Sequence, residues 1–196
     1  MSDVDAEDQK LIKECIRNNR YAQEKLYSKF YGKMFTVSQR YIKNTEDAQE
    51  VLSIAFMKVF TSLSKYASKG NLESWIRRIV VNTSIDFLRE RKKYSTMFLA
   101  VDDIGTFPET VEFEAEESEL LMRIPPEEFL KLIQELPPAS RSVFNLFVID
   151  EYSHKEISSL LGINEGTSKW HVHEARKKLK QLITERFDTK IHYGQR

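Results

Sequence analysis

The sequence predicts an all-α protein in which two small helical domains are joined by an acidic linker. Apolar residues recur every three or four positions over residues 6–93, a stretch with two glycines and no proline. Residues 100–128 then hold ten acidic residues and one basic residue, a net charge of −9. Two proline pairs each precede an apolar helical repeat, and proline at a first helical position favours a helix start. We therefore predict a domain over 6–94, a flexible linker over 95–125 and a second domain over 126–187.

The first domain is predicted to be a bundle of four helices. Apolar spacing places the first helix over about 11–30 and the second over about 34–41. Asn44 is a candidate N-cap for the third helix, whose apolar stripe over 48–60 is the strongest in the chain. A fourth helix follows over 72–93. Helices of this kind bury their apolar stripes against one another.

The predicted fourth helix has two faces. Its apolar side runs from Leu72 to Phe87. A second face combines an aromatic ring, an amide and cations, and Lys69 lies in the polar loop just before the helix. The residues on that face are Trp75, Arg78, Asn82 and Arg89. Such a face suits a strand of nucleic acid with an unstacked base. It is equally consistent with a core position for Trp75 and solvated arginines.

The second domain is predicted to consist of four short helices. The proline pairs open helices over 126–135 and 139–150. Residues 153–156 then form an S-x-x-E capping box, which starts a third helix. Gly162 ends that helix, and Asn164 is a candidate N-cap for the next one. Two helices joined by a tight turn in this way indicate a helix-turn-helix.

The last helix, which begins near residue 165, is predicted to bury one stripe and to expose another. The buried positions are Val172, Ala175, Leu179, Leu182 and Ile183. The opposite face carries Lys169, Trp170, His173, Lys177 and Lys180. In a recognition helix the early residues reach base edges in the major groove and the later cations meet phosphates. The later lysines are also consistent with a solvated basic helix end, but a large aromatic on a polar face favours a partner that covers it.

Two histidines of this helix, His171 and His173, have a spacing that invites a metal-binding interpretation. Residues two apart on a helix point about 200° away from each other, whereas a shared metal needs a spacing of three or four. We therefore expect no metal site. Both histidines are expected at the surface, and His171 is a candidate contact to a base or a phosphate because it flanks the base-reading positions.

The composition argues against several classes of protein. The single cysteine, Cys15, permits no internal disulfide and no zinc cluster of thiolates, which suits a reducing cytoplasm. The N-terminus lacks an apolar signal core, and the apolar run at residues 143–149 is too short to span a bilayer. The sequence shows no Gly-rich phosphate loop, catalytic carboxylate pair beside a histidine or nucleophile elbow. We expect a cytoplasmic protein that is not an enzyme, is not inserted in a membrane and uses no cofactor.

The net charge of zero conceals two basic regions. Outside residues 100–128 the chain carries +9, although residues 1–8 hold four further acids and no base. Basic faces are what phosphate binding requires. The acidic linker has too little apolar surface to offset the entropy lost on ordering it, so we expect an extended or mobile tether.

Two stretches of the chain resemble the extracytoplasmic-function group of bacterial sigma factors, within the sigma-70 family. Residues 74–93, SWIRRIVVNTSIDFLRERKK, resemble the promoter-melting helix of that family. Residues 136–179, LPPASRSVFNLFVIDEYSHKEISSLLGINEGTSKWHVHEARKKL, resemble its C-terminal helix-turn-helix. The resemblance implies a bundle of the region 2 type followed by a domain of the region 4 type. It also implies a protein that binds core RNA polymerase and directs promoter-specific transcription initiation.

The resemblance assigns roles to particular positions. For the upstream, minus-thirty-five element it implies contacts by Thr167 and Lys169, and phosphate contacts by Arg176 and Lys177. The helix itself adds Trp170, His171 and His173 as candidate contacts to the same element. For the downstream, minus-ten element it implies contacts by Lys69, Trp75, Arg78, Asn82 and Arg89. For docking on the clamp coiled coil of the polymerase largest subunit it implies Asp47, Val51, Ala55, Phe56, Lys58 and Val59. Trp170, His171 and Glu174 depart from the family pattern, so we expect the preferred promoter sequence to be this protein's own.

The resemblance also implies partners beyond the promoter and the clamp. The second domain is expected to contact the polymerase flap, and many members of the family are restrained by an anti-sigma factor. The acidic linker suits a cation-lined polymerase channel, and it equally suits shielding of the basic faces in the free protein. The alternative function is a stand-alone helix-turn-helix regulator with a sensing or dimerising N-terminal domain. That alternative predicts specific binding of duplex DNA by the free protein.

Overall fold

The computed structural model describes residues 6–66, 71–91 and 124–188. Within those ranges the regular structure is helical, which confirms the predicted all-α class. The chain divides into two compact units, Met1–Glu90 and Arg91–Arg196. The predicted linker up to residue 123 lies outside the described residues, as does Lys69.

Among the residues of the first unit that the structure describes, four helices and one short turn are formed. They are α1 (Ala6–Ile16), α2 (Arg20–Tyr41), α3 (Thr45–Ser62), a 3-10 turn (Leu63–Lys65) and α4 (Leu72–Glu90). Helices α2, α3 and α4 pack against one another, and α1 packs on α2. The largest fully buried side chains of this unit are Leu26, Met34, Tyr41, Leu52, Phe56, Leu63, Ile76 and Ile85.

The predicted boundary between the first two helices is wrong. The break lies at residues 17–19, whereas Gly32 lies inside α2 with open space around its missing side chain. Asn18 adopts a left-handed backbone with φ 60°, which asparagine tolerates better than most residues. The Oδ1 atom of Asn19 then accepts a hydrogen bond from the backbone N–H of Ala22, at 3.1 Å, and starts α2. A glycine inside a helix costs only about 1 kcal/mol, so packing carries the helix through it.

The start of α3 is capped as predicted. The Oδ1 atom of Asn44 accepts from the backbone N–H of Asp47 at 2.8 Å. The apolar stripe that follows lies inside the bundle, and its buried members are Ala48, Val51, Leu52, Ala55, Phe56 and Val59. This stripe therefore holds the bundle together.

The second unit is built around one long helix. Its elements are α5 (Pro126–Glu135), α6 (Pro138–Phe144), a π turn (Asn145–Ile149), α7 (His154–Leu161), α8 (Glu165–Ile183) and a final π turn (Thr184–Asp188). Helix α8 packs against α5, α6 and α7. One core cluster joins these elements: Ile124, Leu132, Ile133, Leu136, Phe144, Ala175, Leu179, Leu182 and Ile183. The five positions predicted as the buried stripe of α8 are all buried.

The local chemistry of the helix-turn-helix is confirmed. The backbone N–H of Glu156 donates to Ser153 Oγ at 3.2 Å, and Ser153 N–H donates back to the Glu156 carboxylate at 2.9 Å. Gly162 ends α7 with φ 70°, a left-handed conformation that glycine adopts without strain. Asn164 Oδ1 accepts from the backbone N–H of Thr167 at 2.6 Å and starts α8. The turn between the helices is therefore set by residues within it.

A membrane-spanning segment is not found among the described residues, since their helices are either too short or too polar to cross a bilayer.

Candidate nucleic-acid interface

Helix α8 presents cations and polar rings on the side that its core does not use. Lys169, Trp170 and His173 are half-buried in its first turns, and Arg176 is half-buried one turn later. Lys177 and Lys180 are exposed further along the helix. The predicted gradient, with polar and aromatic groups before the later lysines, is therefore present on an accessible surface.

The structure removes His171 from this surface. Its side chain is 2% exposed, and its Nδ1 lies 3.0 Å from Ser140 Oγ on α6. Burial lowers the pKa of His171 to about 4, so the imidazole is neutral near pH 7. The expectation that His171 lies at the surface is therefore incorrect, because the ring is enclosed between helices.

A second predicted DNA contact, Thr167, is also buried. It is 5% exposed, and the neighbouring Ser168 is fully buried. Together with His171, these residues widen the buried side of α8 beyond the stripe predicted from apolar residues alone. The reason is that α8 packs against helices on more than one side, so polar residues with partners also enter its core.

Trp170 contacts the buried histidine. Its ring lies 4.8 Å from that of His171 at an interplanar angle of 71°, an edge-to-face arrangement that aromatic pairs favour. Trp170 is thus half-buried rather than fully exposed. Part of the indole remains accessible beside Lys169.

A residue that the sequence analysis missed, His154, belongs to the same surface. It is the first residue of α7, and its Nδ1 lies 2.9 Å from Ser168 Oγ on α8. Its ring stacks on Phe147, with centroids 4.2 Å apart and planes within 16°. Burial, with the charges of Lys169 and Arg176, lowers the pKa of His154, and Glu165 opposes the shift. The sequence feature that could have drawn attention to His154 is its position directly after the capping residue Ser153.

The proposed downstream face on α4 is partly accessible. Trp75 is half-buried because its ring packs 5.3 Å from that of Tyr66, whereas Arg78 is exposed. Arg89 is exposed and lies 3.9 Å from the carboxylate of Asp86. The Oδ1 atom of Asn82 is buried and has no hydrogen-bond partner among the described residues. An unsatisfied buried acceptor is uncommon and marks a position where a further donor is stabilising.

The predicted docking residues on α3 divide into two groups. Val51, Ala55, Phe56 and Val59 are at most 2% exposed and face the bundle, so they cannot contact a docking partner directly. Asp47 is half-buried and Lys58 is exposed, with the Lys58 ammonium 3.4 Å from the Asp86 carboxylate. The apolar stripe identified in the sequence is the side that packs inward.

Two further residues lie on the outer side of α3. Ile54 is 37% exposed and Met57 is 69% exposed, beside the exposed Ser53 and Lys58. Two exposed apolar side chains one turn apart make this face of α3 a candidate contact surface for a partner. Both residues could have been identified from the sequence, because they lie on the side of α3 away from its buried stripe.

Known families match both units. The family model described as sigma-70 region 2 matches residues 26–94, and that described as sigma-70, region 4 matches residues 126–179. RNA polymerase sigma factor SigZ of Bacillus subtilis (strain 168) is 30% identical over 162 residues, which cover 82% of this chain and 86% of SigZ. The chain belongs to the extracytoplasmic-function group of sigma-70 RNA polymerase sigma factors.

Other comparisons extend along nearly the whole sigma factor. ECF RNA polymerase sigma factor SigW of Bacillus subtilis (strain 168) is 24% identical over 186 residues, covering 89% of this chain and 95% of SigW. The solved structure titled "Structure of CnrH in complex with the cytosolic domain of CnrY" gives a TM-score of 0.49 at 18% identity, covering 91% of this chain and 98% of that one.

Membership of the sigma factor family decides between the two predicted functions, a sigma factor and a stand-alone helix-turn-helix regulator. Sigma factors bind core RNA polymerase and direct initiation at promoters, and neither family match supports a stand-alone regulator. The relatives are sigma factors, which are not enzymes.

We predict that His171 makes the second unit of the sigma factor sensitive to acid. The unfolded chain takes up a proton near the ordinary pKa of 6.5, whereas the folded unit resists protonation down to about 4. The contribution of neutral His171 to stability is therefore complete above pH 6.5. It is lost as the pH falls from 6.5 to about 4, by up to roughly 3 kcal/mol.

Urea unfolding of the wild type and of His171→Gln across that pH range measures this loss. The carboxylates titrate alike in both proteins, so the difference in unfolding free energy isolates His171. The unfolding free energy of the wild type should fall relative to that of the variant as the pH falls. A difference that stays constant with pH would contradict the prediction.

Proposed function

We propose that this sigma factor recognises the upstream promoter element with the outer face of α8 and the downstream element with the Trp75 face of α4. It docks on core polymerase through the outer side of α3, and it acts in the cytoplasm. Residues 6–94 are the docking and melting domain, residues 95–125 the linker and residues 126–187 the upstream-element domain. The observation that carries the proposal is that α8 keeps cations accessible on one side while its other side is fixed in the core.

The charge and position of the α8 residues support different contacts. Lys169, Trp170 and His173 lie in the first turns, which enter the major groove in helix-turn-helix proteins. Arg176 and Lys177 lie later, where cations meet phosphates. Thr167 and His171 are buried and act by holding the helix in place.

The α4 face supports a contact to unpaired bases. Trp75 keeps part of its ring accessible while the other part packs against Tyr66, and Asn82 lies two turns later on the same face of α4. Arg78 and Arg89 add positive charge along the same helix. An aromatic platform with cations is the arrangement that binds an unstacked base and its backbone.

Reconstitution with purified core polymerase tests the proposal as a whole. The sigma factor should bind core polymerase and support run-off transcription from a subset of chromosomal fragments. Failure to bind core polymerase, together with failure to initiate from any fragment, would contradict it.

We predict that Lys169→Ala and Lys177→Ala have different effects on promoter binding by the holoenzyme. Loss of a base contact costs about 1–3 kcal/mol on the preferred sequence and relaxes its preference. Loss of a phosphate contact lowers affinity alike for all sequences and reduces the salt slope by about one. Titrations on preferred and mutated upstream elements at several salt concentrations separate the two, and identical effects of both variants would remove the base-reading role of Lys169.

Docking through α3 predicts that Met57→Asp weakens binding to core polymerase. A charge placed in the centre of an apolar contact is desolvated without a partner, so we expect a loss of about tenfold or more. Tyr21→Asp is the matched control, because Tyr21 is 77% exposed on α2 of the same unit. Fluorescence anisotropy of labelled sigma factor with core polymerase measures both, and equal affinities for the two variants would count against this surface.

Promoter opening should depend on the Trp75 face. Asn82→Ala and Trp75→Ala are expected to reduce permanganate reactivity of the downstream element by about tenfold, while duplex binding through the upstream element changes little. Ser74→Ala is the control, since Ser74 is exposed beside Trp75 and points to another side of α4. Wild-type reactivity in both test variants would exclude the melting role.

A further inference from the structure

His154 is held in one orientation by two helical elements. Phe147 of the π turn stacks on one face of its ring at 4.2 Å, and Ser168 of α8 lies 2.9 Å from its Nδ1. The two nitrogens of the rigid imidazole ring point in fixed directions relative to each other, so a fixed Nδ1 and a fixed ring plane also fix the direction of Nε2. The residue is half-buried, so the ring is not enclosed as that of His171 is. A side chain held in this way is preorganised for a single contact.

Two proposed DNA contacts lie close to His154. Lys169 follows Ser168 directly in the chain, and both Lys169 and Arg176 are near enough for their charges to act on the imidazole. DNA that meets these two cations also brings its backbone phosphates near His154. The residue therefore belongs to the surface that faces the upstream element, although it lies on α7 rather than on the recognition helix.

The charges around His154 favour a neutral ring before DNA binds. From α8, Lys169 and Arg176 disfavour its protonation and Glu165 favours it. From its own helix, the charged neighbours are Lys155 and Glu156, and the Glu156 carboxylate accepts from Ser153. The π turn over Asn145–Ile149 contains no ionisable side chain. Burial also lowers the pKa of His154. DNA phosphates that neutralise Lys169 and Arg176 would raise this pKa and so favour the protonated ring.

We propose that His154 is a further DNA contact of this sigma factor, whose Nε2–H binds a backbone phosphate of the upstream element and whose ring takes up a proton from solvent as the DNA binds. The Ser168 hydroxyl serves both states, because it donates to Nδ1 of the neutral ring and accepts from Nδ1–H of the protonated ring. The contact adds one charge-assisted hydrogen bond and makes binding proton-linked. This inference rests on the proposed recognition of the upstream element by α8.

The test compares wild type, His154→Gln and Lys155→Gln as full chains bound to core polymerase. The probe is a promoter fragment selected by run-off transcription from chromosomal DNA, and affinity is measured at constant salt between pH 8 and pH 6. A contact that gains a proton strengthens as the pH falls, so the ratio of wild-type to His154→Gln affinity should rise by about threefold or more. Lys155→Gln changes a neighbouring exposed charge but keeps the imidazole, so it should retain the wild-type pH dependence.

The outcomes separate this inference from the proposed function. If the wild-type holoenzyme binds the selected fragment no better than unrelated DNA, the proposed function fails. If binding is specific but the affinity ratio is independent of pH, the His154 contact alone is overturned. Should His154→Gln fail to fold, NMR titration of the wild-type His154 ring decides: its pKa must be higher in the DNA complex than in the free chain, and an unchanged or lower value overturns the proposal.

Discussion

The packing of α8 against its neighbours determines which residues of this helix remain accessible. The same helix supplies core residues, including Ala175 and Leu179 with no exposed surface, and the cations proposed to contact DNA. Because α5, α6 and α7 all pack on it, burial decides which part of its circumference DNA can reach. A polar or basic residue of α8 is therefore not a candidate DNA contact unless it is also accessible. His171 is polar and lies among the proposed contacts in sequence, yet it is a structural residue.

Two histidine and serine pairs link α8 to its neighbours and have different consequences. The pair of Ser140 and His171 joins α6 to α8 inside the core, where the ring stays neutral. The pair of His154 and Ser168 joins α7 to α8 at the edge of the proposed DNA surface. Buried polar groups need hydrogen-bond partners, so each pair also restricts how α8 can rotate in the domain. The proposed recognition face is thereby preorganised, which avoids part of the entropic cost of binding.

Local chemistry explains which parts of the fold could be predicted from the sequence. Asn44, Ser153, Gly162 and Asn164 set helix ends through contacts within three or four residues, and the structure confirms them. Apolar spacing did not predict the break at Asn18, because the apolar pattern gives no sign of a left-handed backbone at an asparagine. The burial of His171 was not predictable, since its partner Ser140 lies 31 residues earlier in the chain. On α3, the resemblance identified the helix but not its outward side, where Ile54 and Met57 lie.

We propose that accessibility on α8, rather than position in the family pattern, determines which residues select the promoter. The most direct measurement is selection of active promoters from a library with a randomised upstream element, using holoenzymes with His173→Asn and with His171→Asn. These two histidines are two residues apart, but one is half-buried on the outer face and the other is 2% exposed. Altered base preferences are expected for His173→Asn, and unchanged preferences with lower stability are expected for His171→Asn. Altered base preferences for His171→Asn, with those of His173→Asn unchanged, would contradict this proposal.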